Sequence, residues 1–149
     1  MQSWALYPGP VLLTYADRRV LADASDAAPC WFWELGAETA TYLDDRTLKW
    51  NGLDPGAAQA AALDLPREGL AVVWAEPLDE KRRYTGETFV ADDEEALAAV
   101  TDSANWLEPG NAPSRRTVYS LGATARGRDA AERAGWPEPD EVTFRDSLS

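Results

Sequence analysis

"TVYSLGATARGRDAAERAGW", residues 117–136, holds the junction that decides the fold. Thr117 to Leu121 is rich in residues that favour strands, Gly122 interrupts it, and Ala125 to Ala134 has a helical composition. Two readings compete. Gly122 and Gly127 have the spacing of a phosphate-binding loop, and they follow a predicted strand as that motif requires. The motif then needs a Lys to reach the phosphates and a Ser or Thr to hold Mg²⁺. Here those places are taken by Arg128 and Asp129, and the carboxylate adds repulsion where an anion should sit. Placing Gly127 inside a helix also removes it from any loop. The stretch therefore reads as a strand turning into a helix that Thr124 caps and Gly135 stops. A milder anion role stays open: amides after Gly122, with Thr124, Arg126 and Arg128, would meet an anion at a helix start.

Working outward, Arg115 and Arg116 precede the strand and are further anion candidates, and "EVTF" at 141–144 is a possible last strand. Upstream, "DEEALAAVTDSANWL" (93–107) reads as a helix capped by Asp92 or Asp93, with Leu97, Val100, Ala104 and Leu107 on its apolar face. "GLAVVWAE" (69–76) is a buried strand, and "RRYTGETFVA" (82–91) a hairpin turning at Gly86. Asp54 and Pro55 open a helix that runs through "GAAQAAALDL" to Pro66. "CWFWELGAETATYLDDRTLKWNG" (30–52) reads as strands punctuated by Gly36 and Asp44-Asp45. "PGPVLLTYADRRVLADAS" (8–25) reads as a β-hairpin, with strands at 11–15 and 19–22 and a turn at Ala16-Asp17-Arg18. No internal repeat marks the chain. These elements predict one α+β domain over residues 1–149. Its sheet is mixed or mainly antiparallel, it has two to three helices, and it closes with a strand–helix–strand unit.

Two stretches resemble the uroporphyrinogen-III synthase family: "TDSANW" (101–106), beside its Thr-Ser-x-Asn stretch, and "YSLGATA…AERAGW" (119–136), beside its strand, turn and helix. The resemblance covers about a third of the chain and implies an α/β lobe. It departs where Asp102 separates Thr101 from Ser103, which are adjacent in the family. That family also has two similar lobes and roughly twice this length.

Composition narrows the chemistry. The chain has 149 residues, no histidine and one cysteine, Cys30. Histidine-dependent catalysis and ordinary zinc sites are thereby excluded, as is an internal disulfide. Cys30 reads as a small buried hydrophobe. Asp44-Asp45 and Asp92 to Glu95 are the acidic clusters; capping accounts for the second, and neither follows the calcium-loop spacing. No cofactor or metal is implied, and no complete catalytic motif is present.

Acidic residues number 26 against 14 basic, a formal charge of −12. That charge disfavours nucleic acid and anionic lipid, attracts a basic protein partner, and is also a solubility device. Seven Trp are unusual for this length. Trp31 and Trp33 would share one side of a strand, with Phe32 on the other. That pair is either core or a binding surface, as a protein hot spot or a stacking platform for a flat or sugar-like ligand.

With no membrane-length apolar run and no leader-like pattern in the first residues, a cytoplasmic location is expected. Two functions follow. One is a non-enzymatic acidic protein in a regulatory, inhibitory or immunity-type role, meeting a basic partner through Trp31, Trp33, Asp44 and Asp45. The other is a binder of, or enzyme on, an anionic or phosphorylated small molecule at Gly122, Thr124, Arg126 and Arg128.

Overall fold

The computed structural model describes residues 13–25, 29–35, 40–42, 47–50, 53–111, 115–135 and 144–146. The junction at 117–136 resolves as expected. Strand β6 (Thr117–Ala123) ends at Thr124, whose hydroxyl accepts from the Gly127 amide at 3.0 Å, and α4 (Ala125–Ala134) follows. Gly135, at φ 91°, stops the helix in a conformation that favours glycine.

The other helices also begin at side-chain caps. In α2 (Pro55–Arg67), Asp54 accepts from the Gly56 amide at 3.0 Å. In α3 (Asp93–Thr101), Asp92 accepts from Glu95 at 2.8 Å. Asp102 then caps a 3-10 turn over Ser103–Trp106, so the expected long helix is broken there. Of the expected apolar face Leu97 and Leu107 are exposed, while Val100, with Ala99 beside it, is buried.

The part of the expected β-hairpin that is described, residues 13–25, holds a helix instead, α1 (Tyr15–Ala24), and residues 8–12 fall outside the described residues. Thr14 and Asp17 form a reciprocal capping box, each side chain taking the other's backbone amide at 3.1 Å. Val20, Leu21 and Ala24 then fall on one face and are buried. The count of α-helices among the described residues is four, one more than the upper expectation, for this reason.

The main sheet has the order β1-β6-β4-β5, with β1 Cys30–Trp31, β4 Ala71–Pro77 and β5 Phe89–Val90. Every pairing in it is antiparallel. The parallel α/β lobe implied by the synthase resemblance is therefore not what this sheet forms. The expected hairpin at 82–91 is also revised. Its second half pairs with β4, and the chain reverses through Asp79–Arg83, where Asp79 takes the Lys81 and Arg83 amides. A second sheet has the order β2-β3-β7 (Ala40–Tyr42, Thr47–Trp50, Phe144–Asp146). The β6-α4-β7 ending is thus present, with β7 pairing β3 rather than β6.

Residues paired in register share a face of the sheet. Ala71, Val73, Leu121 and Ala123 face the helices, and Cys30 sits half-buried against this same core. Alanines on α2 (Ala58, Ala61, Ala62) let α1 and α2 approach closely. Trp31, Val72, Trp74, Val118, Ser120, Gly122 and Val90 lie on the opposite face. All four helices contribute to the core on the first face, leaving the second to the loop between β4 and β5.

Candidate binding surface

The Pro29–Leu35 segment does on a small scale what strand alternation predicts, by a different route. The strand ends at Trp31, and Phe32–Glu34 turn as a 3-10 helix. Phe32 points into the core against Trp106 and Tyr119, at 5.0 and 5.9 Å between ring centroids. Trp31 and Trp33 come together on the other side, stacked at 5.2 Å with their planes 4° apart. Both are half-buried.

That stack extends in both directions. Tyr84, from the β4–β5 loop, lies 5.3 Å from Trp31. Because β6 separates β1 from β4 in the sheet, this contact passes over β6, where Val118 is buried. At the other end the Arg115 guanidinium carbon sits 5.7 Å from the Trp33 ring centre, a cation–π distance. Tyr84, Trp31, Trp33 and Arg115 thus form one chain of contacts drawn from three separate stretches of sequence.

Arg115 is 7 % exposed. Its Nη2 donates to the Ala104 carbonyl, while Nε and Nη1 have no acceptor and no solvent access. Burial lowers its pKa, and the positive charge of nearby Arg82 lowers it further. A buried charged donor left unmatched costs about 1–3 kcal/mol or more. Leu78 bonds to the Arg116 carbonyl at 2.8 Å, bringing the loop Lys81, Arg82 and Arg83 to the same end of the sheet as Arg115 and Arg116. A basic cluster therefore stands in a strongly acidic chain.

The edge strand makes a second feature. Phe89 and Val90 are 47 % and 54 % exposed, and Tyr84 is 53 % exposed. Glu87, Asp92, Asp93 and Glu94 flank β5 and are all exposed. Between α2 and α3 lies a cavity of about 270 Å³ walled by Leu63, Val73, Leu97 and Val100, with Arg67 and Asp93 as its charged residues.

The anion candidates at the other end of β6 are placed as follows. Gly122 lies under the Trp74 indole, whose Nε1 would stand 3.1 Å from a Cβ there. The Thr124 hydroxyl is engaged twice, accepting from Gly127 and donating to the Gly69 carbonyl at 2.8 Å. Arg126 and Arg128 are exposed. The structure does not bring these residues near Arg115, which lies a strand's length away, about 20 Å at 3.3 Å per residue. Asp44 and Asp45 fall outside the described residues.

Sequence reasoning missed Tyr84 and Arg82. The available signal was the Lys81-Arg82-Arg83 run, three cations in succession next to an aromatic in an acidic chain. "TDSANW" acts structurally: the Asn105 and Trp106 side chains donate to the Ala99 and Val100 carbonyls at 3.0 and 2.9 Å, closing α3. Among the described residues no helix is long and apolar enough to cross a membrane, and no group of acids and cysteine is arranged to hold a metal. Scans against family models, curated proteins and solved structures found no match to the chain.

Proposed function

We propose that this chain works by binding a basic partner protein, in a regulatory, inhibitory or immunity-type role, and that β5 is the docking edge. The observation that supports this most is the exposed pair Phe89-Val90 on an edge strand, bordered by the carboxylates of Glu87, Asp92, Asp93 and Glu94. An edge strand offers unpaired backbone groups to another chain. Apolar contact at the centre with charge at the rim is the ordinary anatomy of a protein interface. The overall charge of −12 steers a basic partner toward it.

The test is co-purification from host extract at low and high salt, comparing wild type with Val90→Asp, an exposed position whose change leaves the core alone. The reading expects a stoichiometric basic partner that is released at high salt, where screening shortens to about 3 Å at 1 M, and that Val90→Asp fails to retain. A partner retained equally by the variant, or no specific partner at low salt, would count against it.

A further inference from the structure

We propose that Arg115 is the anchor of a binding site for a small oxyanion, a carboxylate or phosphate carried on a flat ring, with Trp33, Trp31 and Tyr84 supplying the surface for the ring. The site is independent of the β5 docking edge and would stand if that reading failed.

Three observations converge. Arg115 is more than nine-tenths buried, yet its Nε–H and its Nη1 amino group meet no acceptor. Native interiors rarely leave charged donors so, and an absent ion or ligand is one of the few explanations available. Besides these two donor groups, the guanidinium meets the Ala104 carbonyl through Nη2 and lies over the Trp33 ring. The surroundings also suit an anion. Arg82 is close enough for its charge to act on Arg115, and Arg116 adjoins it in sequence. The Asp102 carboxylate favours the Arg115 cation in part, and one of its oxygens caps the Ser103–Trp106 turn through the Ala104 amide at 3.0 Å. A buried guanidinium with unmatched donors, as at Arg115, is relieved by an oxyanion that accepts from them.

The aromatic residues define the rest of the ligand. Trp33 covers the guanidinium, Trp31 stacks on Trp33, and Tyr84 closes the far end while remaining half exposed. A ring bearing the oxyanion would take up the Tyr84 contact on Trp31 or lie beside it. Entry needs the Arg82–Tyr84 segment to swing outward. That segment is the surface turn between β4 and β5, and it contains Arg82 at φ 59°, an uncommon conformation for a residue other than glycine.

The experiment follows the Arg115 Nε–H resonance in ¹⁵N-labelled wild-type protein during titration with benzoate and with phenyl phosphate, using sodium chloride at matched ionic strength as control. The resonance is assigned by its loss in Arg115→Lys, or from its contacts to the Trp33 ring if that variant does not fold. The expected result is a saturable shift with one or both probes and none with chloride. At a hundredfold excess over Kd, Tm should rise by a few degrees. Arg128→Ala should leave the titration unchanged, and Trp33→Leu should weaken it. A shift with benzoate alone assigns a carboxylate ligand, and one with phenyl phosphate alone a phosphate. No shift, or the same shift with chloride, overturns the proposal, as does loss of the response in Arg128→Ala.

Discussion

Replacing Gly127 by Ala sets helix propensity against packing, and the two predict opposite signs. Gly127 lies in the first turn of α4, where alanine is the better helix former by about 0.8–1.0 kcal/mol. Taken alone, that makes Gly127→Ala stabilising. The tertiary structure forbids it. A Cβ at Gly127 would stand 1.9 Å from the Leu70 carbonyl oxygen and 2.8 Å from its carbon, both backbone atoms. Ordinary contact begins at 3.4 Å, so α4 must retreat from the start of β4 by about 1.5 Å. The retreat strains two hydrogen bonds that dock the helix start, Thr124 amide to Leu70 carbonyl at 3.1 Å and Thr124 hydroxyl to Gly69 carbonyl at 2.8 Å. Overpacking costs about 1–3 kcal/mol, and each hydrogen bond lost about 0.5–1.5 kcal/mol. Offset by the propensity gain, the net loss is about 3 kcal/mol. For a chain of this size that corresponds to a fall in Tm of about 6–12 °C. Thermal and urea unfolding followed by circular dichroism measure it directly. An unchanged or raised Tm would refute the reasoning, because α4 could then accept a side chain where the docking leaves no space.

Thr124→Ala removes the same helix's cap and should cost about 1 kcal/mol from the cap, with a further loss from the Gly69 contact, read in the same melts. Phe32→Ala opens a hole beneath Trp106 and Tyr119 in a fully buried position and should cost about 3–5 kcal/mol in urea unfolding. Tyr119 should titrate late. Burial first, and then its 3.0 Å hydrogen bond to Glu95, push its pKa up to about 12 from an ordinary 10.0. The folded state therefore holds this proton more tightly than the unfolded one. The resulting stability is intact below pH 10 and is lost as pH rises toward 12. Ultraviolet titration of wild type against Tyr119→Phe should assign to Tyr119 a phenol that ionises toward pH 12, and Tyr119→Phe should flatten that part of the alkaline decline in urea stability. A Tyr119 that ionises near its ordinary value of 10.0 would contradict the burial argument.

Where the chain was legible, the signal lay within four residues. Asp54-Pro55, Asp92 and Thr124 each start a helix with a side chain that reaches an amide two or three positions on, and such bonds are written in local spacing. The strand composition of β4 and β6 was equally visible. The first helix was as local, in its Thr14–Asp17 capping box, but Val11, Thr14 and Tyr15 favour a strand at the same place. Tertiary burial of Val20, Leu21 and Ala24 settles the competition, since a helix places all three against the core together. The candidate surface was half legible. The Trp31–Trp33 pairing could be expected, whereas Tyr84 and Arg115 come from stretches 53 and 84 positions after Trp31, and no sequence pattern joins them.

By itself, then, the sequence determined the α+β class, the places of strands β4 and β6, the caps, and an acidic composition without histidine chemistry. Each of these depends on hydrogen bonds between near neighbours or on composition. Only the tertiary structure decided that Gly127 must lack a side chain, that Gly122 lies beneath the Trp74 indole, and that an arginine is buried against Trp33 with Nε and Nη1 unmatched. Those features depend on which distant backbone or ring arrives opposite a residue, and close packing, unlike capping, has no short-range rule.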